Sequence, residues 1–275
     1  MIRARLRKRW IAQVTINMAD DEELLTLAAK AGCAGVFIGF ESPTAEGLKE
    51  VGKKFNMLNG RDFPASVRRI QRHRILVAGS FIMGLDTDDA GIGRRIAEAG
   101  ICYGIDALNT LFLTPLPGTR LWNEMESQRR LAANSFPEDW KYYTLTFPVA
   151  RYRHLSCREI LTEMETCDRT FYSVWPILRR VWRSVRQWQR PLIALVANLS
   201  YRNNINLGRE GCSAFMASHG LLQENLPGNE ATEASSCEQC RNEENQHDKR
   251  QQRGKPSPLS LVTPDGESVS HESVH

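Results

Sequence analysis

No run in the 275 residues approaches the roughly 20 consecutive apolar residues that span a bilayer. The basic start (Arg3, Arg5, Arg7, Lys8, Arg9) is not followed by the apolar core of a secretory signal. A soluble, cytoplasmic chain is therefore expected. Cysteine is scattered: Cys33, Cys102, Cys157, Cys167, Cys212, Cys237 and Cys240. An odd count at irregular spacing argues against a disulfide framework, and no CxxxCxxC loop occurs. Cys237 and Cys240 form a single CxxC with only His247 nearby, short of a four-ligand zinc site. Cys33 and Cys102 sit in apolar stretches and are expected to be buried. The net charge of +4 is confined mostly to two local clusters, so no nucleic-acid surface is expected.

What is present is an alternation of strands and helices. Strands are expected at Ile11–Asn17, Gly35–Phe40, Ile75–Met83 and Ile105–Leu113. Between them, helices are expected near 20–31, 44–53, 63–73 and 92–99, the first with Asp20 as N-cap and Glu23 completing a capping box. A further helix spans Thr119–Arg130. Strands alternating with helices of this length specify parallel βαβ units. About four such strands fall short of the eight repeats and roughly 250 residues of a closed barrel, leaving part of a barrel or an open sheet.

From Trp140 the pattern becomes helical, running from Ser156 to about Asn198 with a break expected at Pro176. Leu178, Val181, Trp182, Val185 and Trp188 recur at helical spacing, with Arg179, Arg180, Arg183, Arg186 and Arg190 on the other face. The favoured reading packs the apolar stripe on the sheet and solvates the arginines. The other places the helix on an anionic membrane surface. Periodicity fades after about 208, and residues 224–275 are too polar to offset their ordering entropy. The expected organisation is a sheet region at 10–135, a helical extension packed on it at 136–207, and a disordered polar tail at 208–275.

In parallel α/β folds ligands gather at the carboxyl ends of strands. Glu41 and Ser42 end the second strand, where a carboxylate can accept hydrogen bonds from ribose hydroxyls or an amine. Equally, either can cap the helix that begins at Ser-Pro-Thr-Ala-Glu. Gly79, Ser80 and Gly84 are small residues suited to a flat ring at a strand edge, or to close helix packing. Asp86, Asp88 and Asp89 fit no calcium-loop template and are read as caps of the following helix rather than a metal site. Leu113-Thr114-Pro115-Leu116-Pro117-Gly118 forms a rigid strand-to-helix corner.

Taken in order, AGCAGVFIGFES, GSFIMGLDTDD, LTPLPGTRLWNEM and DWKYYTLTFPV resemble the radical S-adenosylmethionine (SAM) superfamily, most closely its branch associated with cobalamin-binding domains. The resemblance covers roughly Trp10 to Tyr201. It implies an α/β fold of partial (β/α) barrel type followed by a helical C-terminal region. It also implies SAM contacts from Glu41, Ser42, Gly79, Ser80, Gly84, Leu113, Thr114 and Pro115, with Gln13, Thr15 and Asn17 pointing inward. The implied chemistry is one-electron reduction of SAM by a [4Fe–4S] cluster to a carbon-abstracting radical, with cobalamin-dependent methyl transfer in that branch.

One departure is large. The cluster-binding loop and cobalamin domain of that family should precede Trp10, where only nine residues stand, and the scattered cysteines do not replace the loop. The implied chain is then a portion that works with an upstream cluster- and cobalamin-binding half in trans, the product of a mis-called start, or an inactive remnant. The alternative is an inactive interaction protein, docking through an open sheet edge and the basic helix. A third reading, an unrelated enzyme with Glu41 as base, carries least weight.

Overall fold

A computed structural model of the chain describes residues 1–53, 61–186 and 191–221. The chain divides into Met1–Pro227 and Gly228–His275, and only the first unit contains described residues. The polar tail beyond 221, with Cys237 and Cys240, and Trp188 and Arg190 of the basic stripe lie outside them.

Four strands form one parallel sheet in the order β1 (Trp10–Val14), β2 (Cys33–Glu41), β3 (Leu76–Met83) and β4 (Ala107–Phe112). Between them run α1 (Glu22–Lys30), α2 (Ala45–Glu50), α3 (Phe63–Arg72) and α4 (Ile92–Tyr103). Then follow α5 (Arg120–Ser127), α6 (Cys157–Phe171), α7 (Val174–Arg186) and α8 (Pro191–Ser218). Strand side chains alternate between faces. One face, with Ile38, Phe40, Val77 and Phe81, is sealed by helices. Phe40 stacks on Phe81 at 5.6 Å and meets Phe63 of α3 at 5.4 Å and Tyr103 of α4 at 5.2 Å. A single core links Ile16 near the sheet to Cys212 in α8, so the helices after 136 share the sheet's interior.

Several expectations are corrected. The first strand stops at Val14, and a 3₁₀ turn at Ile16–Asp20 buries Ile16 and Met18. Asp21, not Asp20, caps α1 by accepting from the Leu24 amide, because Asp20 is held by Arg61 at 2.6 Å. Asp86, Asp88 and Asp89 do not cap α4. The Glu163 carboxylate of α6 accepts from the Gly91 and Gly93 amides, each at 2.8 Å. Cys33 is buried but Cys102 is exposed. Pro176 does not break the helix. It sits in the first turn of α7, where a missing amide costs nothing, and the interruption falls at Tyr172–Ser173. Helix α8 continues past 207 to Ser218 because Cys212, Phe215 and Met216 are buried, with Phe215 against Tyr142 at 4.7 Å.

The largest correction concerns α7, whose polar side faces inward. Arg180 is buried, donating to Asn198 Oδ1 and to the Phe171 carbonyl and lying 4.0 Å from the Phe171 ring centre. Burial pushes its pKa down to about 10, so it stays charged at neutral pH. Arg183 binds Asp106 at 3.1 Å, and the other Asp106 oxygen accepts from Gln71 and the Val77 amide. These bonds turn Trp175, Leu178, Trp182 and Val185 outward.

The two sheet edges differ. At β4, the Tyr172 hydroxyl donates to the Leu108 carbonyl at 2.7 Å and accepts from the Leu108 amide at 3.0 Å. A side chain thus takes the place of a neighbouring strand, and Tyr201 stacks on it at 5.6 Å. At the β1 edge, Ile11 is 74% exposed. Among the described residues, no helix is long and apolar enough to cross a membrane.

Candidate functional site

The face of the sheet opposite the aromatic cluster carries a cavity of about 790 Å³ at the carboxyl ends of the strands. Strand register builds it. Gln13 pairs with Phe37, Gly39 with Ser80, and Ile82 with Leu111, so all these side chains share one face. Leu113, Thr114, Leu121 and Leu145 close it at the end of β4, where the Phe112 amide donates to the Leu145 carbonyl. Phe37, Ile82 and Leu111 make an apolar floor, and the polar groups sit toward the β2 end, as small-molecule sites require.

Glu41 is the charged acceptor of this cavity. It follows an irregularity in the β2–β3 pairing and has φ of 67°, the left-handed region that costs a non-glycine residue roughly 1–2 kcal/mol. The turn folds its carboxylate back over Gly39, where a Cβ would overlap Glu41 Oε1. Lys53 Nζ donates to Glu41 Oε1 at 2.6 Å and to the Gly39 carbonyl at 3.2 Å. The pair is partly open to solvent, so its net contribution to stability is small. It presents a fixed carboxylate and an ammonium side by side at the cavity wall. Ser80 is buried beside them.

Of the eight residues singled out from sequence, Glu41, Ser80, Leu113 and Thr114 line this cavity. The other four are placed elsewhere. Ser42 is turned toward α2, its Oγ accepting from the Thr44 amide while Thr44 caps the helix. A Cβ at Gly79 would stand 2.7 Å from Ile105 and 3.0 Å from Phe40, so that glycine makes room on the helix face. Gly84 has φ of 99°, and a side chain there would overlap the Tyr152 ring. Pro115 is buried outside the cavity. Gln13 and Thr15 do line it, whereas Asn17 sits in the 3₁₀ turn. Sequence reasoning missed Lys53, Phe37, Leu121 and Leu145. Lys53 follows Gly52, whose φ of 73° turns the chain back from α2, and nothing in its spacing links it to Glu41.

The acidic turn after β3 has its own partners. Asp86 is held by Arg130 at 2.6 Å and by Arg153 at 3.3 Å, and although burial opposes ionisation its carboxyl stays below the usual range. Asp88 accepts from the Gly84 and Leu85 amides, and burial raises its carboxyl to about 6. Asp89 pairs with Arg95. Among the described residues, no three His, Cys, Asp or Glu side chains are placed to hold a metal ion.

No family model matches the chain. It is 28% identical over 185 residues to bacteriochlorophyllide d C-12(1)-methyltransferase of Chlorobaculum tepidum, covering 67% of this chain and 39% of that protein. It is 32% identical over 119 residues to hopanoid C-2 methylase of Rhodopseudomonas palustris, covering 43% and 22%. Over 177 residues it is 23% identical to the anaerobic magnesium-protoporphyrin IX monomethyl ester cyclase of Cereibacter sphaeroides, covering 64% and 28%. The chain thus spans less than two-fifths of the length of these relatives. The ordered strand-end motifs and these similarities agree: the chain is similar to radical SAM-type enzymes, methyltransferases among them.

Proposed function

We propose that this chain is the SAM-facing arc of a (β/α) barrel in a cytoplasmic radical SAM methyltransferase. It would work with a further portion that brings the [4Fe–4S] cluster and cobalamin. The observation that carries this reading is the cavity at the carboxyl ends of four parallel strands, walled by the Glu41–Lys53 pair and floored by Phe37, Ile82 and Leu111. Those residues fit SAM. Glu41 would accept from ribose hydroxyls or the amino group, Ser80 would add a hydroxyl, and the apolar floor would lie against the adenine. When bound, SAM supplies the methyl and adenosyl chemistry of the family. The protein's part is to orient the ligand, hold a carboxylate beside it and keep water from the floor.

The described thiols do not fit a cluster. Cys33, Cys157, Cys167 and Cys212 are buried and Cys102 is exposed, and among the described residues no three His, Cys, Asp or Glu side chains are placed to hold a metal. Thiolate ligation is how such clusters are held, so no step is assigned to these residues. The names of the relatives point to large, ring-built substrates, and we infer a substrate of that class.

The interaction-protein reading is supported by the β1 edge with its exposed Ile11 and by the exposed Trp175 and Trp182 of α7. The same edge would accept the strands of a complementing portion, so it favours the first reading equally.

Equilibrium dialysis with radiolabelled SAM tests the proposal. The full chain should bind weakly but saturably, and Glu41→Gln should weaken binding about tenfold or more, because a hydrogen bond to a charged group contributes roughly 1.5–3 kcal/mol. Ser42→Ala, on the helix side, should change nothing. Absence of saturable binding, or equal weakening by both variants, would refute the assignment.

A further inference from the structure

We propose that the outward face of α7, with the start of α8, docks on an anionic lipid surface. From Arg169 through Arg209 the sequence holds eight arginines and no lysine, aspartate or glutamate; Arg180 and Arg183 are held inside the fold and Arg169 and Arg209 pair with Glu165, while Arg179 and Arg202 are exposed. The apolar pattern of α7 is turned the wrong way for a helix that only covers a core. Trp175 is 81% exposed, Leu178 51%, Trp182 64% and Val185 48%, spaced to form one stripe along α7. On α8, Leu192 and Val196 are also exposed.

The orientation is fixed by the fold. Arg180 and Arg183 anchor the inner side of α7 through Asn198, Phe171 and Asp106, which leaves the tryptophan stripe nowhere to point but outward. Arg179 is exposed on the same side as Leu178 and Trp182. Tryptophans that seat at the headgroup level with an exposed arginine beside them are what an interfacial helix presents. Phosphate headgroups complement this charge, and a cationic surface would be repelled. A groove of about 640 Å³ between this stripe and Ile105 lies at the amino end of β4. The candidate site lies at the carboxyl end of the same strand, so docking here would leave its cavity open.

The test is co-sedimentation of the full chain with two kinds of vesicle, phosphatidylcholine alone and a phosphatidylcholine–phosphatidylglycerol mixture. Binding is expected to favour the mixture by about tenfold or more and to fall with added salt. Trp175→Ser with Trp182→Ser should lower binding about tenfold or more, and their fluorescence should shift to the blue on binding. Arg179→Glu should lower binding about fivefold or more on the anionic vesicles only, as expected from roughly 1 kcal/mol per basic residue near a charged surface. Ile11→Ser, equally exposed but on β1, should bind like the wild type. No vesicle binding by the wild type, or unchanged binding by the double variant, would overturn the proposal. So would a self-associated form that the double variant dissolves and vesicles do not displace, which would assign this face to a second copy of the chain.

Discussion

Replacing Glu41 by glycine and, separately, by alanine should separate backbone strain from ligand binding. The residue sits at φ of 67°, where any side chain costs roughly 1–2 kcal/mol. Glycine relieves that cost but adds freedom to the unfolded chain, about 0.4–1 kcal/mol. Both variants lose the ion pair with Lys53, whose side chain is 37% exposed, and such a pair contributes about 0.2–1 kcal/mol. Glu41→Gly should therefore lie within about 1 kcal/mol of the wild type. Glu41→Ala keeps the strain and loses the pair, and should be less stable than the glycine variant by about 0.5–1 kcal/mol. On a domain of this size that is a few degrees in Tm, at about 2–4 °C per kcal/mol. SAM binding should fall about tenfold or more in both. Urea melts followed by circular dichroism give the first quantity and equilibrium dialysis the second. If alanine at 41 proves as stable as glycine, the left-handed turn is not strained. If the glycine variant binds SAM like the wild type, the carboxylate is not a ligand contact.

Two further variants probe the frame around the site. Tyr172→Phe removes a buried hydroxyl that both donates to and accepts from Leu108, leaving an amide and a carbonyl of the edge strand unpaired. A loss of about 2–4 kcal/mol is expected in denaturant melts, and a loss under about 0.5 kcal/mol would mean that water replaces the hydroxyl. Asp88 titrates near 6 in the folded chain against 3.8 unfolded, so folding favours its protonated form. Its contribution is fully present below about pH 4 and lost as pH rises through 6. Asp88→Asn should flatten stability across that window and raise it by about 1–3 kcal/mol at pH 7.5, and an unchanged pH slope in urea melts would refute the buried-carboxylate account.

The sequence by itself determined the order of the elements, the parallel sheet and the resemblance to radical SAM enzymes. Near-continuous apolar strands separated by capped helices have few other ways to bury both faces, and the turn after each strand is a local property of its own residues. Thr44 and Thr119 cap the helices whose starts the sequence places at those residues. Glu41 was legible as a cavity-lining candidate because it is a carboxylate at a strand's carboxyl end. Lys53 was not, because its pairing with Glu41 depends on how the chain returns after α2. Which of Gly79 and Ser80 faces the cavity was decided by pleat and register, a one-residue alternation that composition does not reveal. The facing of α7 was decided by tertiary structure alone. Its pattern of alternating arginines and apolar residues suits either rotation, and only the buried Asp106, Asn198 and the Phe171 carbonyl, brought together by the fold, compensate Arg180 and Arg183 enough to turn the tryptophans outward.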